Sequence, residues 1–181
     1  TARKGGLVVI HWGMGTKPIE HMIKLLESKG VRVFSLAEQH KHVDAFSCWR
    51  GNTPYIFLNT FKSAERSRFD AAHELAHLVL HIHGMTSGGR DIEREADMFA
   101  SAFLINRGDL VGHVGRVNSL ARLVSAKKRW GVSVSALART AFDAGLISDW
   151  HYRELCKQMS HLGYRTTEPQ GLAREKSTLW R

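Results

Sequence analysis

The run His73-Glu74-Leu75-Ala76-His77 sets two imidazoles and a carboxylate at HExxH spacing. Residues four apart on a helix differ by about 40° in direction, so both imidazoles leave one face and can grip a single ion. Neutral imidazole suits zinc. Glu74 emerges about 100° around the helix from His73, within reach of a water on that ion without ligating it. The chemistry predicted is metal-assisted hydrolysis. Zinc would lower the pKa of a water toward about 7 and polarise the scissile carbonyl, while Glu74 takes the proton and later passes it to the leaving amine.

A catalytic zinc commonly takes three protein ligands and leaves the fourth position to water. Glu93, 16 residues beyond His77, is the candidate third ligand. Asp97, one turn later on the same face, can accept a hydrogen bond from a ligand imidazole and fix its tautomer. Glu95 points elsewhere. Glu93 and Asp97 would serve equally well as first-turn acids that complement the helix dipole. His81, His83, Asp91 and His113 are rival ligands. His81 sits about 12 Å along the axis from His73, too far for a shared ion, and reads as a supporting or structural side chain. Tyr55, His113 and Tyr152 are unranked candidates for steadying an oxyanion.

These residues need helices to hold them. Ser63 caps a long helix expected over 64–82, with Glu65 near its positive end. Ala72, Leu75, Val79 and Ile82 form an apolar stripe offset from the histidines, which would pack on the core and leave the metal face toward a cleft. Helical spacing of Ile92, Ala96, Phe99, Ala100 and Phe103 predicts a second helix over 91–105. Upstream, Thr16 and Pro18 predict a helix running to about Lys29, then a strand over 31–34. Two further strands, 44–49 and 55–58, are joined by a hairpin loop at 50–54. Residues 108–115 read as loop, and helices follow at 119–130, 134–144 and 149–162. From Arg165 the tail should be extended or mobile. The class is α+β, with a peptidase core over 1–112, a helical subdomain over 113–164 and the tail over 165–181.

The chain has 181 residues, 43% hydrophobic and 24% charged, which argues against disorder and membrane spanning. The apolar run Leu7 to Ile10 is too short for a bilayer, and no secretory signal is evident. Cys48 and Cys156 are the only cysteines; they provide neither a disulfide framework nor metal-ligand spacing, which fits a reducing, cytoplasmic compartment. Thr1 in place of Met predicts a fragment or processed form with something missing upstream. A net charge of +9 would attract nucleic acid or an acidic partner, although a basic surface is more often simply solvated.

Most of the chain resembles the ImmA/IrrE family of metallopeptidases. Tyr55 to Asn59 looks like the family's strand, Glu65 to Phe69 like its arginine-phenylalanine lead-in, His73 to His81 like its metal helix, and Glu93 to Leu104 like its second metal helix. The resemblance assigns one zinc ion to His73, His77 and Glu93, the catalytic carboxylate to Glu74, and a zincin-like core with a three-stranded sheet on the HExxH helix. Ala76 stands where glycine is usual, Asp97 where asparagine is frequent, and 104–106 lacks the customary proline. Residues 127–137 look like a helix-turn-helix, or like helices that simply wall the cleft. The resemblance further implies a regulatory protease acting in transcription and stress response. It would cleave a helix-turn-helix repressor or antitoxin-like partner, with DNA contact through the basic helical region or an upstream domain and no membrane partner.

Two other classes compete. A DNA-binding or antitoxin-like regulator could keep a non-proteolytic zinc site, though structural zinc favours four ligands and cysteine. A zinc enzyme acting on a small amide would have a narrow closed cleft, whereas an open groove beside a strand edge, such as near Tyr55 to Leu58, would favour an extended polypeptide.

Overall fold

The structure, a computed structural model, describes residues 12–13, 15–36, 44–81 and 89–179. Helix α1 (Met22–Ser28) leads into β1 (Arg32–Ser35), β2 (Phe46–Arg50) and β3 (Thr53–Leu58). The HExxH helix α2 (Ala64–Leu80) is followed by α3 (Gly89–Leu104), α4 (Arg107–Val114), α5 (Leu120–Ala126), a 3₁₀ turn at Lys127–Arg129, α6 (Val134–Asp143) and α7 (Asp149–His161). The class is α+β, as expected.

The three strands form one sheet in the order β1-β3-β2, parallel between β1 and β3 and antiparallel across the β2–β3 hairpin. Val33, Ile56 and Leu58 alternate inward and are buried with Ala71, Ala72 and Leu75 of α2. Their alternation is what seats the sheet on the HExxH helix. The same apolar cluster continues through Phe99 and Phe103 of α3 to Leu137 of α6 and Met159 of α7, so the helical half shares a core with the first half.

Three expectations need correction. The helix expected from Lys17 starts at Met22, with His21 as its cap. The carbonyls of Ile19 and Glu20, which a longer helix would use internally, accept hydrogen bonds from the Arg68 guanidinium, and the amide of Ile23 donates to Glu175. Tertiary contacts thus override the Thr16-Pro18 start signal. Residues 108–115, read as loop because of their glycines, are mostly helix α4. Asn106 caps it by accepting from the amide of Asp109, and Arg122 closes its other end through the Val114 carbonyl at 2.9 and 2.7 Å. Val79, assigned to the packed stripe, is 38% exposed, while Ala72 and Leu75 are buried; Ile82, like His83, lies outside the described residues.

Residues 165–179 form neither helix nor strand, yet they are tied to the core. Glu168 reaches the fully buried Lys127, itself 2.9 Å from the buried Glu65 of α2, and Glu175 meets Arg68. Gly131 allows Arg68 through: its φ is +63°, and a β-carbon there would lie 2.6 Å from Arg68 Nε. The two cysteines are free and half-buried. Among the described residues no helix is long and apolar enough to cross a membrane.

Candidate metal centre and active site

Ser63 caps α2 by accepting from the Arg66 amide, and packing of Ala72, Leu75 and Ala76 against the core fixes the helix so that His73 and His77 share its cleft side. α3 packs against α2 and lays Glu93 and Asp97 opposite them. His73 Nε2 lies 3.0 Å from His77 Nε2 and 3.0 Å from Glu93 Oε2, and His77 Nε2 is 3.6 Å from Glu93 Oε1. The three donors lie within 4.8 Å of one another. Ligand atoms about 2.0–2.1 Å from a tetrahedral zinc stand roughly 3.3 Å apart, so the spacing and the His₂Glu chemistry both fit that ion.

The opposite ring atoms are also engaged. His73 Nδ1 lies 2.9 Å from Asp97 Oδ1, the geometry by which a carboxylate fixes a ligand's tautomer. His77 Nδ1 lies 3.0 Å from His81 Nδ1, and His81 Nε2 lies 3.3 Å from Glu95 Oε2. A hydrogen on His77 Nδ1 would leave its Nε2 lone pair free for the centre, with His81 passing the polarisation to a carboxylate. Glu95 therefore points toward His81. The sequence offered a signal for this contact in the i, i+4 spacing of His77 and His81, but not for the reach from α3.

The two imidazoles titrate in opposite directions in the metal-free protein. Burial depresses His73, but the hydrogen bond and charge of Asp97, helped by Glu74 and Glu93, outweigh it and leave the pKa raised. His77 is held below its ordinary value by burial and then by the neighbouring His73 charge. A dication bound here would compete with protons for these nitrogens.

Glu74 is 93% shielded from solvent and accepts a 2.7 Å hydrogen bond from the hydroxyl of Ser47 on β2. Burial raises its pKa; the Ser47 bond and the His73 charge oppose, and the Glu93 and Asp70 carboxylates add to the rise. Ser47 is a residue the sequence reading missed, since nothing local ties a strand serine to a helix 27 positions away. Trp49, also on β2, donates its indole N–H to the Leu78 carbonyl. Together they bind the hairpin to the HExxH helix.

The rival ligands are placed elsewhere. Asp91 is exposed in the first turn of α3, and the exposed His113 stands edge-on to Trp130 at 5.8 Å between ring centres. Tyr152 stacks on Phe142 and Tyr55 stacks beside Phe34 in the sheet.

A small sheet on an HExxH helix, with a second helix returning a glutamate to it, defines a peptidase-type core. Residues 26–142 match the IrrE N-terminal-like domain, a peptidase family, and the chain belongs to it. The matched region holds every residue of the centre and ends within α6. No curated protein gives a significant match to the chain.

Proposed function

We propose that the protein is a zinc-dependent endopeptidase that hydrolyses a peptide bond in a regulatory protein, a repressor or antitoxin-like partner, in the cytoplasm. The observation that carries this reading is the convergence of His73, His77 and Glu93 around a space of zinc-ligand dimensions, with Glu74 on the adjacent face of the same helix. A zinc ion held by those three residues would supply Lewis acidity, acidifying a water and polarising the scissile carbonyl.

The chain's own residues do the rest. Glu74, aimed by Ser47, accepts a proton as water attacks and returns it to the leaving amine. Asp97 holds His73, and His81 with Glu95 holds His77, so the ligands keep their orientation as charge develops. β3 is the central strand, paired on both sides, and β2, which carries Ser47, pairs with no second strand among the described residues. An edge strand beside the general base favours an extended polypeptide over a small amide.

The regulatory partner follows from the family resemblance. The basic run before α6 offers less to DNA than its composition suggests: Lys127 is fully buried against Glu65 and Glu168, and Arg129 makes two hydrogen bonds to Asp109. This favours a protein partner.

The test compares the native host expressing wild type or Glu74→Gln for cellular proteins that become shortened. A transcription repressor cut only by the wild type supports the reading; identical protein profiles under every stress applied would contradict it and favour a non-proteolytic regulator.

A further inference from the structure

A groove of about 910 Å³ begins at Phe69 and Asp97, beside His73, and runs between α3 and α6 toward Arg107 and Ala144. Its floor is apolar, with Ile105 and Leu110 buried beneath and Met98, 42% exposed, on its wall. Its charges are unevenly matched. Asp97 is engaged by His73, and Asp143 is paired with Arg139 at 3.0 Å. Arg94 at the near end and Arg107 at the far end have no carboxylate partner among the described residues, and Arg107 donates only to the Ala144 carbonyl at 3.4 Å.

From Arg94 to its last residue Leu104, α3 advances about 15 Å at 1.5 Å per residue. An extended chain covers that distance in about five residues. We propose that the groove receives an extended polypeptide segment with apolar side chains at its middle and an acidic residue at each end, about five positions apart, and so selects the substrate beside the metal centre. The apolar floor needs a side chain that can be desolvated, and the acceptors at the two ends would meet Arg94 and Arg107, which no carboxylate among the described residues neutralises. A continuous phosphate chain fits worse, because Asp97 and Asp143 lie in the walls. The cleavage of the bound segment rests on the peptidase reading above; its binding does not.

Binding is therefore measured on the full-length, zinc-loaded Glu74→Gln chain, which separates the groove from catalysis. The probe is a fluorescent peptide Glu-Ala-Leu-Leu-Ala-Glu, with Lys-Ala-Leu-Leu-Ala-Lys and a duplex DNA 20-mer as comparisons. The acidic peptide should bind at least about tenfold more tightly than the basic one, which corresponds to about 1.4 kcal/mol. Ala136→Trp, which fills the groove, and the pair Arg94→Glu with Arg107→Glu should each weaken it about tenfold or more, with zinc content and circular dichroism unchanged. Met98→Arg, at an exposed position, is the second variant should Ala136→Trp misfold, and it should weaken binding likewise.

Equal binding of the basic peptide, no binding of the acidic peptide at millimolar concentration, or full binding by folded groove variants would overturn the proposal. So would DNA binding that those same substitutions abolish. A groove that behaves as expected in a wild-type protein that cuts nothing would leave the proposal standing and remove the peptidase reading instead.

Discussion

Asp97 Oδ1 stands 2.9 Å from His73 Nδ1, on the side of the ring opposite the nitrogen that faces Glu93 and His77. The carboxylate and the candidate metal position thus grip one imidazole from both ends. Asp97→Ala should lower zinc affinity about 10–100-fold, the usual loss when such a partner is removed. Asp97→Asn, which keeps an acceptor oxygen, should lose less. Chelator competition measures both, and unchanged affinity in Asp97→Ala would show that the contact does not support the ligand.

Glu74 must be ionised to act as a base, and burial lifts its pKa above the ordinary glutamate value. Peptide cleavage should fail on the acid side as Glu74 takes up a proton. Ser47→Ala removes a bond that favours the carboxylate, so its acid limb should move to higher pH while zinc per chain stays the same. An unshifted limb would remove Ser47 from the positioning of Glu74.

The same shift has a consequence for folding. A carboxyl whose pKa is raised in the folded state stabilises the fold while protonated and loses that contribution as pH rises through the raised value. Metal-free Glu74→Gln should accordingly be at least as heat-stable as wild type at pH 7. The difference should close as pH falls below the ordinary glutamate range. Calorimetry of both proteins across pH checks the sign, and a Gln variant less stable at pH 7 would refute it.

Lys127 and Glu65 are both fully buried and 2.9 Å apart, with Glu168 at 3.2 Å on the other side of the ammonium. Lys127→Met strands two buried carboxylates and should destabilise the fold by about 3–5 kcal/mol in urea unfolding. Adding Glu65→Gln and Glu168→Gln should recover part of that loss. A Lys127→Met protein as stable as wild type would mean that the tail is not held by this cluster.

Gly131→Ala places a β-carbon against Arg68 at a φ of +63°, and should destabilise by more than about 1 kcal/mol. Thermal unfolding of this variant reports how tightly α2 is locked to the turn before α6.

The sequence carried the centre because its chemistry is periodic and local. His73 and His77 lie on one helix, and Glu93 with Asp97 repeats that logic one helix later, so spacing alone brought four side chains to two facing surfaces. Ser47 and Glu95 were not legible, because each depends on how separate elements cross. The start of α1 was misread for a related reason. Thr16 and Pro18 form a sound local signal, but Arg68 takes the carbonyls that a helix there would need. Glycines at 108 and 112 argued for loop by propensity, while the Asn106 cap and the Arg122 closure made helix α4. In the first case a long-range contact overrides local preference, and in the second nearby side chains outweigh the low helix propensity of glycine.

The proposed hydrolysis, driven by Glu74 at a zinc centre made by His73, His77 and Glu93, is open to direct measurement. Purified wild type and Glu74→Gln, each verified to carry one zinc per chain, would be incubated with a proteome-derived protein mixture from the host, and newly formed amino termini counted. New termini should form with wild type and fall at least about 10²-fold with Glu74→Gln. Equal cleavage by the two proteins, or none by zinc-loaded wild type, would contradict it.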